Sequence, residues 1–74
     1  MEHDRIQSRA DVMMGKPVIR GTRITVENIL GKLADGWCVT EICTSYPHIT
    51  PDDVEAALRF AADHVSHPTV WAAE

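Results

Sequence analysis

The 74-residue sequence predicts a mainly α-helical fold, in which a bundle of three helices follows a short N-terminal β-hairpin that is paired across a dimer. After residue 25, apolar residues recur at helical spacing, and Thr25 and Thr50 stand where helix N-caps are expected. The first 25 residues instead show a hairpin pattern. We expect three segments: the β element and dimerisation arm at 1–25, the helix-turn-helix-like bundle at 26–65, and a C-terminal tail at 66–74.

The hairpin is predicted from the symmetric stretch IRGTRI, in which Ile19 faces Ile24 and Arg20 faces Arg23 across a two-residue turn. Gly21 at the first central position suits a type II′ turn, which needs a positive φ there. The stretch DRIQSR at 4–9 is a candidate for a further short strand. Because isolated ribbons are marginally stable in water, we expect these strands to pair with a second copy of the chain through Ile6, Val18, Ile19 and Ile24.

The first predicted helix begins after Thr25, whose hydroxyl can cap it, and ends where Gly36 adopts a left-handed conformation. Gly31 lies inside this helix at a cost of about 1 kcal/mol relative to Ala, which suggests that it allows another element to pack closely. The apolar residues expected on the buried face recur three and four positions apart, at Val26, Ile29, Leu30, Leu33 and Ala34.

Two further helices are predicted from their start signals. Thr40 is expected to cap a short helix that ends near Ser45, because Pro47 disfavours helical geometry at the residue before it. Thr50 caps the third helix, with Pro51 in the first helical position. Its first turn carries carboxylates at the positive end of the helix dipole. One apolar stripe is expected along it, formed by Val54, Ala57, Leu58, Ala61, Ala62 and Val65.

The formal charge of −4 is divided unevenly along the chain. Residues 1–25 carry a net charge of +2 and residues 26–74 a net charge of −6, a division that indicates two different surfaces and two partners. The candidate DNA contacts are Lys16, Arg20 and Arg23. The candidate contacts for a protein partner are Asp52, Asp53, Glu55 and Trp71.

Two interpretations of the basic residues stay open. Strands of a dimeric ribbon can lie in a groove of DNA, and pairing two copies doubles the local positive charge. Alternatively, Arg20 and Arg23 form structural ion pairs with Asp35, Glu27 or the other subunit. The third helix begins with PDDVE, and phosphates would repel its carboxylates, so we do not expect that helix to enter the major groove.

No catalytic, metal or cofactor site is predicted. GKPVIRG lacks the spacing and the strand-to-helix setting of a phosphate-binding loop, and no nucleophile stands with a base. Cys38 and Cys43 have no matching ligands for zinc. No apolar run approaches the length of about 20 residues that spans a bilayer, and the first residues lack the apolar core of a secretory signal. We therefore expect a non-enzymatic cytoplasmic protein.

Several motifs together resemble the domain of unknown function family 433 (DUF433). The resemblance covers residues 6–64 and rests on four pieces: GKP at 15–17, RGTR at 20–23, YP at 46–47, and the TP helix start at 50–51 followed by AAL at 56–58.

The resemblance implies a homeodomain-like or winged-helix-like trihelical fold with an N-terminal β element, in small prokaryotic proteins regarded as antitoxins. It also implies a PIN-like ribonuclease toxin as the partner, which the protein would bind and neutralise, and operator DNA as a further partner of the dimer. The alternative expectation is a protein interaction module that binds no DNA and whose arginines are structural.

Overall fold

The computed structural model describes residues 3–66, in which three helices follow a two-stranded antiparallel sheet. This confirms the predicted mainly α fold. None of the helices in these residues has both the length and the apolar character needed to cross a membrane. The elements are β1 (Ile6–Gln7), β2 (Val18–Ile19), α1 (Val26–Ala34), α2 (Val39–Ser45) and α3 (Pro51–Ser66).

The predicted hairpin register is confirmed. Val18 forms an antiparallel bridge with Thr25, and the N–H of Ile19 donates to the carbonyl of Ile24 at 2.9 Å. On its other side, β2 pairs with β1, with Ile6 opposite Ile19. The expectation of another strand within residues 4–9 is thus also confirmed.

The turn of this hairpin differs from the prediction. The N–H of Thr22 donates to the carbonyl of Ile19 at 2.9 Å, so Arg20 and Gly21, and not Gly21 and Thr22, are the central residues of the tight turn. Gly21 has a φ of 81°, as the second central residue of a type II turn requires. The Thr22 hydroxyl makes this turn possible, because it bridges the backbone groups of Ile19 and Ile24.

The side chains assigned to dimerisation lie mostly inside the single chain. Ile6, Val18 and Ile19 are buried, and Ile24 is half-buried against the same core. Because β1 and the helices of the same chain cover the ribbon, these four side chains are largely taken up by contacts within the chain. Dimerisation itself stays a prediction.

The bounds predicted for α1 are confirmed. The Thr25 hydroxyl accepts from the N–H of Asn28 at 3.0 Å, and Gly36 ends the helix with a φ of 98°. The interpretation of Gly31 is wrong, because a Cβ added there would meet no other atom within 4 Å. Gly31 therefore weakens the helix without allowing any close contact.

The predicted start of α2 is also wrong. The helix is capped at Cys38 and not at Thr40. Glu41 explains the shift, because its carboxylate accepts from the N–H of Cys38 at 2.8 Å and so satisfies a backbone donor that the helix leaves free. The helix ends at Ser45, as predicted, with non-helical geometry at Tyr46 before Pro47.

The start of α3 is confirmed, and its buried face is shorter than predicted. Val54 and Ala57 are buried, but Leu58 is 46% exposed and Val65 is 68% exposed. Helix α3 has 16 residues and α1 has 9, which correspond to about 24 Å and about 14 Å. The last two turns of α3 thus extend past the helix that covers its first half.

The core lies where the ribbon meets the first half of α3 and the two shorter helices. It contains only aliphatic side chains, with aromatic rings at its edge from Trp37, Tyr46 and Phe60. Its buried members are Ile6, Ile19, Val26, Ile29, Ile42, Ile49, Val54 and Ala57.

The two glycines at α1 give a matched test of these helix bounds. Gly31→Ala should raise the free energy of unfolding by up to about 1 kcal/mol, because alanine is the better helix former and the site is open. Gly36→Ala should lower it by about 1 kcal/mol or more, because its positive φ strains any side chain. Urea unfolding followed by circular dichroism measures both. A loss of stability in Gly31→Ala would contradict the placement of this residue.

Candidate nucleic-acid interface

The four residues that follow β2, 20–23, form an exposed connection that we call the basic loop. Thr22 stabilises it, because its hydroxyl donates to the carbonyl of Ile19 at 2.8 Å and accepts from the N–H of Ile24 at 3.0 Å. The N–H of Arg20 donates to the carbonyl of Arg5 at 2.7 Å. The loop backbone is thus fixed at both ends, while the side chains of Arg20 and Arg23 are exposed.

Of the seven Lys and Arg residues, five are engaged within residues 3–66. Four form ion pairs, namely Arg5 with Asp53, Arg9 with Asp11, Lys16 with Glu27, and Arg59 with Glu55. The ammonium of Lys32 lies 4.6 Å from the centre of the Trp37 ring. Over the same residues, Arg20 and Arg23 form neither an ion pair nor a side-chain hydrogen bond, so their charges are available to an external anion.

The three predicted DNA contacts therefore differ from one another. Lys16 Nζ lies 3.3 Å from a carboxylate oxygen of Glu27 in an exposed ion pair, while Arg20 and Arg23 form no ion pair within the described residues. The alternative that Arg20 and Arg23 pair with Glu27 or Asp35 is not realised in the described part of the chain, because Glu27 is taken by Lys16 and Asp35 forms no ion pair there.

A groove of about 460 Å³ lies beside the basic loop, and we call it the basic groove. Arg9 joins Arg20 and Arg23 in its lining. The Nε and Nη2 atoms of Arg9 donate to Asp11 at 3.2 and 3.1 Å, but an exposed pair of this kind is worth at most about 1 kcal/mol. The full lining is Gln7, Arg9, Val12, Val18, Arg20, Gly21, Thr22 and Arg23.

Arg9 was not among the predicted contacts, and no local signal in the sequence indicates it. Successive side chains of a strand point to opposite faces, and Ile6 of β1 is buried, so alternation places only Gln7 on the outer side. Arg9 lies two residues past the end of β1 and lines the basic groove together with Gln7.

A second groove, of about 300 Å³, lies against the same loop, and we call it the apolar groove. The turn between α2 and α3 forms its other wall, with Tyr46, Pro47 and His48. The basic loop and Ile24 complete its lining, through Gly21, Thr22, Arg23 and Ile24. Residues 21–23 thus separate a charged groove from an apolar one.

The acidic residues predicted to contact a partner are largely engaged within the chain. Asp53 is buried, and its carboxylate accepts from Arg5 and from the N–H of Thr50, each at 3.0 Å, so it caps α3 and is not displayed to a partner. Asp52 and Glu55 are exposed, but Asp52 lies 3.6 Å from Arg5 and Glu55 lies 2.8 Å from Arg59. Trp71 lies outside the described residues.

No group of three or more His, Cys, Asp or Glu side chains within residues 3–66 is arranged to hold a metal ion. Cys38 is exposed and Cys43 is half-buried, and both are free thiols.

These features define a small three-helix protein whose N-terminal ribbon presents an exposed loop. Two arginines of this loop form no ion pair among the described residues. The chain belongs to the family described as Protein of unknown function (DUF433), whose model matches residues 6–61. It is similar to the crystal structure of a DUF433 member protein from Anabaena variabilis ATCC 29413, with 30% identity and a TM-score of 0.77. The match covers 80% of this chain and 58% of that chain, so this chain spans little more than half of its neighbour. No curated protein matches the sequence.

Asp53 and Asp52 give a matched test of the capping role. Asp53→Ala should lower the free energy of unfolding by about 1 to 3 kcal/mol, because Thr50 and Arg5 both lose their acceptor. Asp52→Ala should cost less than about 1 kcal/mol, since an exposed carboxylate in the first turn contributes little. Urea unfolding of both variants measures the difference. Equal losses of stability in the two variants would contradict the capping role of Asp53.

Proposed function

We propose that this protein is a non-catalytic, cytoplasmic regulator of the antitoxin type, which binds nucleic acid through the basic loop. The proposal rests on the exposed side chains of Arg20 and Arg23. In a protein of net charge −4, these two cations are unpaired among the described residues and lie on one exposed loop beside Arg9. Phosphates of nucleic acids are the anions that such a surface attracts most strongly.

The position of the acidic residues also favours the basic loop as the surface that contacts nucleic acid. Asp52 and Glu55 are exposed on the first turns of α3, where a recognition helix would need cations or amides. Repulsion from phosphates disfavours insertion of this helix into the major groove. The basic loop approaches an anion without bringing these carboxylates into the contact. Two copies of the loop in a homodimer would double the charge offered to operator DNA.

The proposal also includes a protein partner, which we take to be a PIN-like ribonuclease toxin, as the family resemblance implies. The segment after residue 25 carries a net charge of −6, and that charge attracts a basic nuclease and competes with its RNA substrate. The exposed apolar end of α3, with Leu58 and Val65, supplies a surface that can lie in a groove of a partner.

Variants of the basic loop test the nucleic-acid part. Wild-type protein should bind its own promoter DNA with an affinity that falls as salt rises from about 50 to about 200 mM. Arg20→Ala with Arg23→Ala should weaken binding and reduce the slope of log affinity against log salt by about 0.9 for each lost phosphate contact. Fluorescence anisotropy with labelled promoter DNA measures both.

Arg59→Ala is the matched control, because Arg59 is equally exposed but pairs with Glu55 on α3. It should leave both affinity and salt slope unchanged. Thermal unfolding should be unaltered in the double variant, since neither arginine side chain forms an ion pair or a hydrogen bond among the described residues. Wild-type protein that binds promoter DNA no better than the double variant would refute this part of the proposal.

A pure protein interaction module is the second candidate. The exposure of Leu58 and Val65 favours it, because apolar residues on one side of a helix commonly mark a protein contact. This alternative requires no nucleic acid and assigns the arginines a structural role.

Replacing apolar residues of α3 tests the protein partner. Val65→Asp should reduce recovery of a co-expressed PIN-like ribonuclease in affinity purification and restore its activity, because a buried carboxylate without a partner disfavours the contact. The double variant of Arg20 and Arg23 should retain the ribonuclease. Equal recovery with Val65→Asp and wild type would exclude this end of α3 as the contact.

A further inference from the structure

The basic loop forms a shared wall of the basic groove and the apolar groove, which differ in chemistry. We propose that the two grooves together bind unpaired nucleotides, with a backbone phosphate in the basic groove and its base in the apolar groove. The inference rests on the proposed nucleic-acid binding and adds a preference, because an unpaired strand can use both grooves whereas a duplex can reach only the phosphate site.

The basic groove has the chemistry of a phosphate site. Arg9, Arg20 and Arg23 bring three guanidinium groups to its lining, and the planar guanidinium can donate two hydrogen bonds to one phosphate. Asp11 is the anion already present, on Arg9. The Arg9 pair is exposed and weak, so a phosphate can share Arg9 with Asp11 or displace it.

The apolar groove has the chemistry of a base site. Tyr46 and His48 both line it, and rings of these types are the usual partners on which unpaired bases stack. The turn that carries them is held by a hydrogen bond from the N–H of Ile49 to the carbonyl of Tyr46 at 2.8 Å, and by a second from the N–H of Tyr46 to the carbonyl of Ile42 at 2.9 Å. Pro47 between them has a fixed φ. The backbone that carries the two rings is therefore held in place before a base arrives.

The shared wall decides which nucleic acid fits. Gly21, Thr22 and Arg23 line both grooves, so the two grooves meet at the basic loop. Gly21 adds no side chain to this wall. In a single strand, the phosphate and the base of one nucleotide can lie on opposite sides of such a wall. In a duplex, the bases are paired inside the helix and cannot enter the apolar groove.

Arg23 belongs to both grooves and links the two contacts. Its guanidinium can pair with the phosphate on one side, and its flat face can stack on the base on the other. Arg20, in contrast, lines only the basic groove. Loss of Arg23 should therefore affect single strands more than loss of Arg20.

Anisotropy titrations of the full-length protein test the proposal with four labelled probes. They are oligothymidylate of about 12 nucleotides, oligouridylate of that length, an abasic strand with the same number of phosphates, and a duplex of that length. Oligothymidylate should bind at least about fivefold more tightly than the abasic strand, which corresponds to stacking of one base. The affinity for oligothymidylate should exceed the affinity for the duplex by a similar factor. Comparison with oligouridylate shows whether DNA or RNA is preferred.

Two histidine variants separate the base contact from the phosphate contact. His48→Ala should weaken oligothymidylate binding about fivefold while leaving the salt slope and the abasic strand unchanged. His64→Ala, on the exposed end of α3, should alter none of these values.

The outcomes distinguish this inference from the proposed function. Duplex and abasic strands that bind as tightly as oligothymidylate overturn the base site and leave nucleic-acid binding in place. Binding of oligothymidylate that is insensitive to His48→Ala overturns the assignment of the apolar groove. If none of the four probes binds, this inference fails; if the promoter DNA does not bind either, the proposed function fails as well.

Discussion

The contact between Arg5 and Asp53, 48 residues apart, connects the N-terminal ribbon to the start of α3, at 3.0 Å. Asp53 also accepts from the N–H of Thr50, so one carboxylate caps the helix and holds the ribbon. Removing it would leave the Arg5 guanidinium and a helix terminus without their acceptor, which costs more than an exposed pair provides. The arrangement engages Arg5 and the most buried acidic side chain among the described residues. The side chains of Arg20 and Arg23, in the basic loop after β2, take no part in it.

Local signals in the sequence were sufficient for much of the fold. The caps at Thr25 and Thr50, the end of α1 at Gly36 and the pairing of Ile19 with Ile24 depend on residues a few positions apart, and all were predictable. The start of α2 was missed although its signal is local, because the Glu41 carboxylate makes Cys38 an adequate cap. The exposure of Leu58 was not predictable from periodicity, since the apolar stripe of α3 is wider than the face that the folded chain buries at Val54 and Ala57.

The candidate site was less predictable than the fold, for a related reason. Composition and position identified Lys16, Arg20 and Arg23 as a cluster, but only the three-dimensional structure shows that Lys16 is paired with Glu27, 11 residues away. The apolar groove brings Tyr46 and His48 against residues 21–23, a contact between segments that share no local pattern. Arg9 was not predictable either, since it lies two residues past the end of β1 and reaches the basic groove only in the folded chain.

The geometry of α3 bears on whether the two proposed partners could bind at the same time. The apolar groove lies at the turn that immediately precedes Pro51, whereas the exposed apolar end of the helix reaches Val65. The 14 residue steps between these positions correspond to about 21 Å along the helix axis. That separation exceeds the Debye length of about 8 Å at physiological ionic strength, so the charges of a nucleic acid at one end are screened from a protein at the other. Binding at the two ends is therefore compatible, and any competition between the two partners would have to arise from their own bulk and not from shared residues.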